Sequence, residues 1–422
     1  MTFISPIGRR GFPGQQPTLK ELNLICWSLL FVGFVLPFSI VVLSSHSPPS
    51  GDFAGFYSLG RILNEHPVND LYNYELLKQV CQQVHPRNLA YGPLPYPPFV
   101  GLFFRPFALL PFWLAYLLWS LLSIALYASG VIIALNRFFP LESLRRSMAL
   151  CFACSYCPFL VDTAANGQLA AVGFFALAWA VKEDSLEHQF RSGLALSVCI
   201  YKPTLVVLLL PMILVTRRWK TLFGFSTGAI AVGSITTAVE GFSAWRGFLA
   251  MILSFGKASV AVKSQSLLVL VKYVDFTSFS HLVHGGRSWL GLTILFAVTC
   301  WALISLARAW WRSPQMGKPF QSLVWAATLT WTLLLNVYVP IYDSVLIVLA
   351  VILTAGSLRH VPRGRIHGWF TMSWVLILAG SWFTVLLAGK TGVQLLTLLL
   401  ICFGALQFAG LRMLTQQDGD TA

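Results

Sequence analysis

Apolar residues in this chain come in continuous runs, not in alternation with polar ones. Runs near ~20 residues cross a bilayer as helix. Segments 22–43, 112–135, 222–239, 289–311, 320–338, 369–387 and 393–412 approach that length, with shorter companions at 147–161, 169–181 and 345–356. The period-two alternation of a membrane barrel is absent. The pattern predicts an all-α polytopic membrane protein. It is one integral domain over 1–422, a bundle of about 10–12 transmembrane helices, some short or broken.

Several apolar pieces are too short to span. Segment 98–110 is interrupted by Arg105-Pro106, a break that proline enforces in a helix. Segments 194–200 and 205–215 flank Tyr201-Lys202-Pro203, and 192–216 as a whole reads as a broken helix pair with both ends basic. Such interruptions are tolerated at membrane depth only against protein or a wet cavity.

Charge then sets an orientation. Arg9, Arg10 and Lys20 precede the first run and no basic residue follows it within 44–50, which predicts a cytoplasmic N-terminus. The same rule places Arg137, Arg145, Arg146, Arg217, Arg218 and Lys220 inside. It leaves 44–111 as a first outer loop and 240–286 as a second outer segment. Segment 98–110 then starts and finishes outside, as a helix on the outer leaflet; a short span is the alternative. Arg246, Lys257, Lys263, Lys272 and Arg287 run against this map, since they are cations assigned to the outer side.

Composition narrows the class further. Hydrophobic residues make up 56% and charged residues 10%, against about 25% charged in soluble domains. The net charge of +14 comes from short clusters between runs, so it speaks for orientation and not for nucleic acid. Seven of eight cysteines lie in apolar runs. Cys151, Cys154 and Cys157 have helix-face spacing and read as small packing residues. No phosphate-cradling glycine loop, HExxH or GxSxG is present, so no cofactor is called for, and a divalent cation is not indicated.

The loop 44–111 holds Asp52, Glu65, Asp70 and Glu75 among many aromatics. Asp52 stands just beyond a span exit. It reads either as a general base for a hydroxyl or as an ordinary helix-capping aspartate. Lys202 is an ionisable residue within a membrane profile, a functional candidate by default. Followed by Pro203 at the start of a half-helix, it would form a phosphate site with the helix N-terminus; a snorkelling lysine is the alternative. Asn166 and Gln168 offer sugar or phosphate hydrogen bonds, or a helix cap. Tyr342 and Asp343 form a turn at the entry to a span, where a carboxylate is costly unless paired.

Taken together, Asp52-Phe53 with Tyr57 and Gly60, Asp70-Leu71-Tyr72, Tyr96-Pro97-Pro98-Phe99, Arg105-Pro106-Phe107 through Phe112 with Trp119, Asn166-Gly167-Gln168, Gly193-Leu194-Ala195 leading to Lys202-Pro203, Arg217-Arg218-Trp219 and Ser264-Gln265-Ser266-Leu267 resemble glycosyltransferase family 87. These are membrane enzymes of the GT-C class. The resemblance implies inverting transfer of a hexose, mannose-like, from a polyprenyl-phosphate-linked donor to an extracytoplasmic glycan or glycolipid acceptor. It implies Asp52 as base; beside it the residue reading places Lys202 on the donor phosphate and leaves Tyr57, Asp70, Tyr72, Tyr96, Asn166, Gln168, Gln265, Tyr342 and Asp343 as substrate-binding candidates. It implies a bacterial inner (plasma) membrane protein with its site on the outer face. Ser264 stands where the family has asparagine, and the late motif here is Tyr-Val-Pro-Ile-Tyr-Asp. Two rival readings are a transporter or flippase of lipid-linked sugars, with Lys202 as substrate anchor, and a non-catalytic scaffold of envelope assembly.

Overall fold

The computed structural model describes residues 51–85, 94–140, 144–263, 270–284, 288–337, 339–361 and 364–420, so the first apolar run lies outside the described residues. Among them the regular structure is helical, and the one β feature is an isolated bridge, Tyr273 to Pro340. Helices α1 (Gly51–Glu65), α2 (Tyr74–Val84) and α3 (Pro98–Phe104) lie in the segment 44–111 that precedes the first long described span. The Asn73 side chain caps α2 by accepting from the Glu75 and Leu76 amides. Pro97-Pro98 opens α3, where a missing N–H costs nothing. At 7 residues, α3 is only about 10 Å long. It cannot cross a bilayer, which removes the short-span alternative for 98–110.

The membrane part follows. Helix α4 (Phe112–Phe138) is a full span. Helix α5 (Leu144–Ser155) and a π-helical segment, Pro158–Ala165, meet at a 47° bend. Helices α6 (Ala170–Ser185), α7 (Gln189–Ser197) and α8 (Leu209–Val215) are shorter, and α9 (Trp219–Lys263) is long. Helix α10 (Phe276–His284) precedes α11 (Trp289–Arg312), α12 (Lys318–Leu334), α13 (Leu346–Ser357), α14 (Arg365–Thr391) and α15 (Leu395–Asp420). Six helices among the described residues are long and apolar enough to span, seven if the bent pair counts as one.

Helix α13 is the central post. With the turns at its ends it runs Ile341–His360 and is buried on every side; a helix apolar all round belongs inside a bundle. Its threonine makes the usual accommodation, Thr354 Oγ1 donating to the Ala350 carbonyl at 2.7 Å. Helix α9 differs from the simple span read at 222–239. At Gly241 the backbone takes φ +75°, a conformation glycine adopts freely, and the helix resumes beyond it. The apolar piece at 248–255 is thus part of this continuation, and the break is held by a buried Glu240 accepting from Arg105 at 2.8 Å.

The broken pair between 192 and 216 is present. Helix α7 passes through a 3-10 turn, Val198–Tyr201, reverses at Lys202 and returns through Pro203–Val206 to α8. Past α8, Arg218 binds Asp184 at the C-terminal end of α6 at 2.6 Å, so both arms finish at one end of the bundle. Trp325 also donates to Asp184, at 2.8 Å. That end further gathers Arg137 on Ser185, Arg146 on Asn136 and Arg359 over Phe139. Lys202 lies at the opposite end, with Asp52 and the start of α1.

Candidate active site

The site grows from the start of α1. The Asp52 and Phe53 amides both donate to the Asn166 carbonyl, at 3.1 and 3.0 Å. This satisfies N–H groups that a helix start leaves unpaired. Asn166 therefore does cap a helix, but with its backbone and for a different helix. Gly167 makes the approach feasible: its φ is +78°, and a Cβ there would lie 2.5 Å from the Phe53 Cβ. Trp119 fixes the turn from behind, donating to the Gly167 carbonyl at 2.8 Å.

The Asp52 carboxyl is thus pinned beside residues 162–168. Burial pushes its pKa above the ordinary carboxylate range, while a hydrogen bond from Gln168 and the charges of Lys272 and Lys202 pull it back. Gln168 is itself buried. Tyr96 donates to its Oε1 at 3.5 Å, which leaves the amide N–H groups for Asp52. Tyr96 is hydrogen-bonded to Tyr342, stacks on Tyr201 at 6.5 Å, and has its own carbonyl held by the Tyr72 hydroxyl at 2.9 Å.

Lys202 closes the opposite wall. Its Nζ is 2.6 Å from Asp343 Oδ2 and 4.5 Å from the centre of the Tyr342 ring. The carboxylate that looked too costly at the entry to a span is therefore paired, and its partner is the lysine that looked too costly in the membrane. The arm after Lys202 opens as a 3-10 turn, Pro203–Val206, and runs on into α8, so that Pro203–Val215 is one short apolar helix with Lys202 at its start.

The remaining candidates divide. Tyr57 donates to the Leu110 carbonyl at 2.8 Å and ties α1 to the loop before α4. Asp70 sits in a turn beyond the far end of α1. Tyr72 is a strut for Tyr96. Gln265 lies outside the described residues, as does Tyr338.

Three residues escaped the sequence reading. Asp162 is close enough to repel Asp52 electrostatically and is hydrogen-bonded by Asn166. Its signal was a carboxylate closing an apolar run. Lys272 acts on both aspartates; it was legible only as one of the cations that fitted the charge map badly. Asp275 explains how Lys272 arrives. Fully buried, it accepts from the Ser278 amide and hydroxyl and from the Val339 amide, at 2.7, 2.8 and 2.9 Å. Alongside it Ile341 donates to the Lys272 carbonyl at 2.8 Å. Segment 272–275 is thereby fastened to the entry of α13. Among the described residues no group of three His, Cys, Asp or Glu side chains gathers to hold a metal ion.

Residues 94–336, more than half of the chain, match the model of glycosyltransferase family 87. The chain belongs to glycosyltransferase family 87. It is a membrane glycosyltransferase, with a sugar donor and an acceptor as its partners. Comparison with curated proteins and with solved structures returns no match for it. The family 87 match takes in Tyr96, Asn166, Gln168, Lys202 and Lys272, while Asp52, Tyr342 and Asp343 lie outside it.

Proposed function

We propose that this glycosyltransferase moves a hexose, mannose-like, from a polyprenyl-phosphate donor to a hydroxyl of an extracytoplasmic glycan or glycolipid, with inversion. Asp52 carries the reading. A carboxyl with its pKa raised by burial is better matched to proton abstraction near neutral pH than an ordinary one. It takes the acceptor O–H proton as the oxygen attacks the anomeric carbon. The bond from that carbon to the phosphate oxygen breaks, and polyprenyl phosphate leaves with the electron pair. Lys202 and Lys272 meet the charge on the departing phosphate, Lys202 sharing its ammonium between phosphate and Asp343. Tyr96 and Gln168 orient the acceptor side.

A lipid-linked donor suits the surroundings. Beside Tyr201 an apolar groove of about 400 Å³ runs between α3, α7 and α9, lined by Phe99, Phe103, Leu169, Val198 and Ile235 among others. Phe103, Val198 and Ile235 are exposed, so the groove opens to the bilayer side. An isoprenoid chain seated there would bring its phosphate toward Lys202. The arginine-rich opposite end argues that the site faces away from the cytoplasm.

The test is turnover. Purified enzyme is incubated with labelled polyprenyl-phosphate hexoses and a membrane lipid extract, and the products are identified. A glycosylated product with inverted anomeric configuration, lost in Asp52→Asn, is expected. Transfer from sugar nucleotides alone, or undiminished transfer by Asp52→Asn, would sink the reading.

A further inference from the structure

At the end of the bundle opposite the site, α11, α12 and α15 enclose a pocket of about 200 Å³. Its walls carry three guanidinium groups, Arg308, Arg312 and Arg412, and two hydroxyls, Ser305 and Thr415. Its floor is apolar, formed by Phe320, Phe408 and Leu411. No acidic side chain is among the residues lining it, and none of the three arginines has an ion pair among the described residues. This contrasts with Arg218 nearby, whose charge is matched by Asp184.

The spacing is that of two converging helix faces. Ser305, Arg308, Ala309 and Arg312 share one face of α11, and Phe408, Leu411, Arg412 and Thr415 share one face of α15. Both faces lie within the last turns of apolar spans that close at Gln315 and Gln416. Spans ending there put the pocket at headgroup depth, with lipid-facing residues such as Ile304 and Met413 around it. Basic pockets between spans at this depth accept anionic headgroups, because several forked donors can meet one phosphate.

We infer that this pocket binds a phosphate-bearing anion, supplied by a phospholipid headgroup of the leaflet at that end, with the acyl chains lying along α11 and α15. Free phosphate is the other source of the same chemistry. The inference depends on the chain spanning the membrane and not on its donor or acceptor, so it stands or falls separately from the glycosyl-transfer reading.

The measurement is native mass spectrometry of the full chain released from mixed phosphatidylcholine and phosphatidylglycerol nanodiscs. Retention of phosphatidylglycerol over phosphatidylcholine by the wild type is expected. Arg308→Gln and Arg412→Gln should each cut it, and together by about tenfold, which is 1.4 kcal/mol of binding. Arg365→Gln, at the same end but outside the pocket, should leave it unchanged. Addition of inorganic phosphate should not displace the lipid. Equal retention of both lipids by the wild type overturns the proposal even if the variants fail to fold. Equal losses in Arg365→Gln would mean diffuse charge at the interface, and full displacement by inorganic phosphate would make the pocket a free-anion site; either outcome overturns it.

Discussion

Asp52 and Lys202 meet their constraints in opposite ways. Asp52 is buried with partial compensation, so ionising it costs folding energy. Its folded pKa lies above the unfolded value. Its contribution is therefore most favourable below the unfolded pKa and is lost as pH rises through the folded one. Asp52→Asn should be more stable than the wild type at neutral pH, with the gap closing in acid, while transfer falls by about 10²–10⁴-fold. Thermal unfolding at several pH values and turnover on the same preparations test both halves together. As a base Asp52 must be deprotonated, so kcat/KM should fall as pH drops, with a midpoint above the usual carboxylate range. Lys202 is balanced by Asp343. Lys202→Met leaves a buried carboxylate alone and should cost about 3–5 kcal/mol. The double substitution Lys202→Met with Asp343→Leu should regain much of that stability by thermal unfolding yet remain inactive. If activity returned with stability, the pair would be structural only.

At the scale of elements, the approach of α7 to α9 decides where Lys202 sits. A Cβ at Gly224 would lie 2.1 Å from the Phe190 carbonyl oxygen, and one at Gly193 would lie 1.9 Å from that of Thr221. Small residues permit such backbone contact between helices. Gly233 lies further along the same helix with nothing within 4 Å of its Cβ position. Gly224→Leu should therefore push α7 away and destabilise by about 1–3 kcal/mol or more, and Gly233→Leu should be neutral or stabilising. Melting temperatures of the two variants in detergent make the comparison, and equal effects would refute the contact.

Much at this scale was readable in advance. Long apolar runs announce spans because the bilayer demands that length, and Lys202-Pro203 inside such a run announces a break. Helix α10 was not readable, since it is a short piece within a mixed segment. Nor was the Lys202–Asp343 pairing, because nothing local to either residue names a partner so distant in sequence. Asp52 could be singled out from its place beyond a span, but its second carboxylate neighbour and Lys272 emerge only from packing.

At the scale of the molecule, the two ends are chemically unlike. One gathers arginines on helix ends, and the other gathers Asp52, Asp162, buried tyrosines and the Lys202–Asp343 pair. The proposed orientation puts the arginine end on the cytoplasmic side, as the charge rule expects. Cysteines introduced as Asn69→Cys and Arg191→Cys should then label oppositely. A membrane-impermeant maleimide applied to intact cells should modify only the first, and the reverse pattern would invert the whole arrangement.

The ion pair between Lys202 and Asp343 also has a consequence in time. The chain is made from its N-terminus, and Lys202 enters the bilayer long before Asp343 has been polymerised. At ~5–20 residues per second the 141 residues added to reach Asp343 take an interval of roughly 7–28 s. During it an ammonium sits at membrane depth without its counter-charge, in a helix pair too short to hold itself.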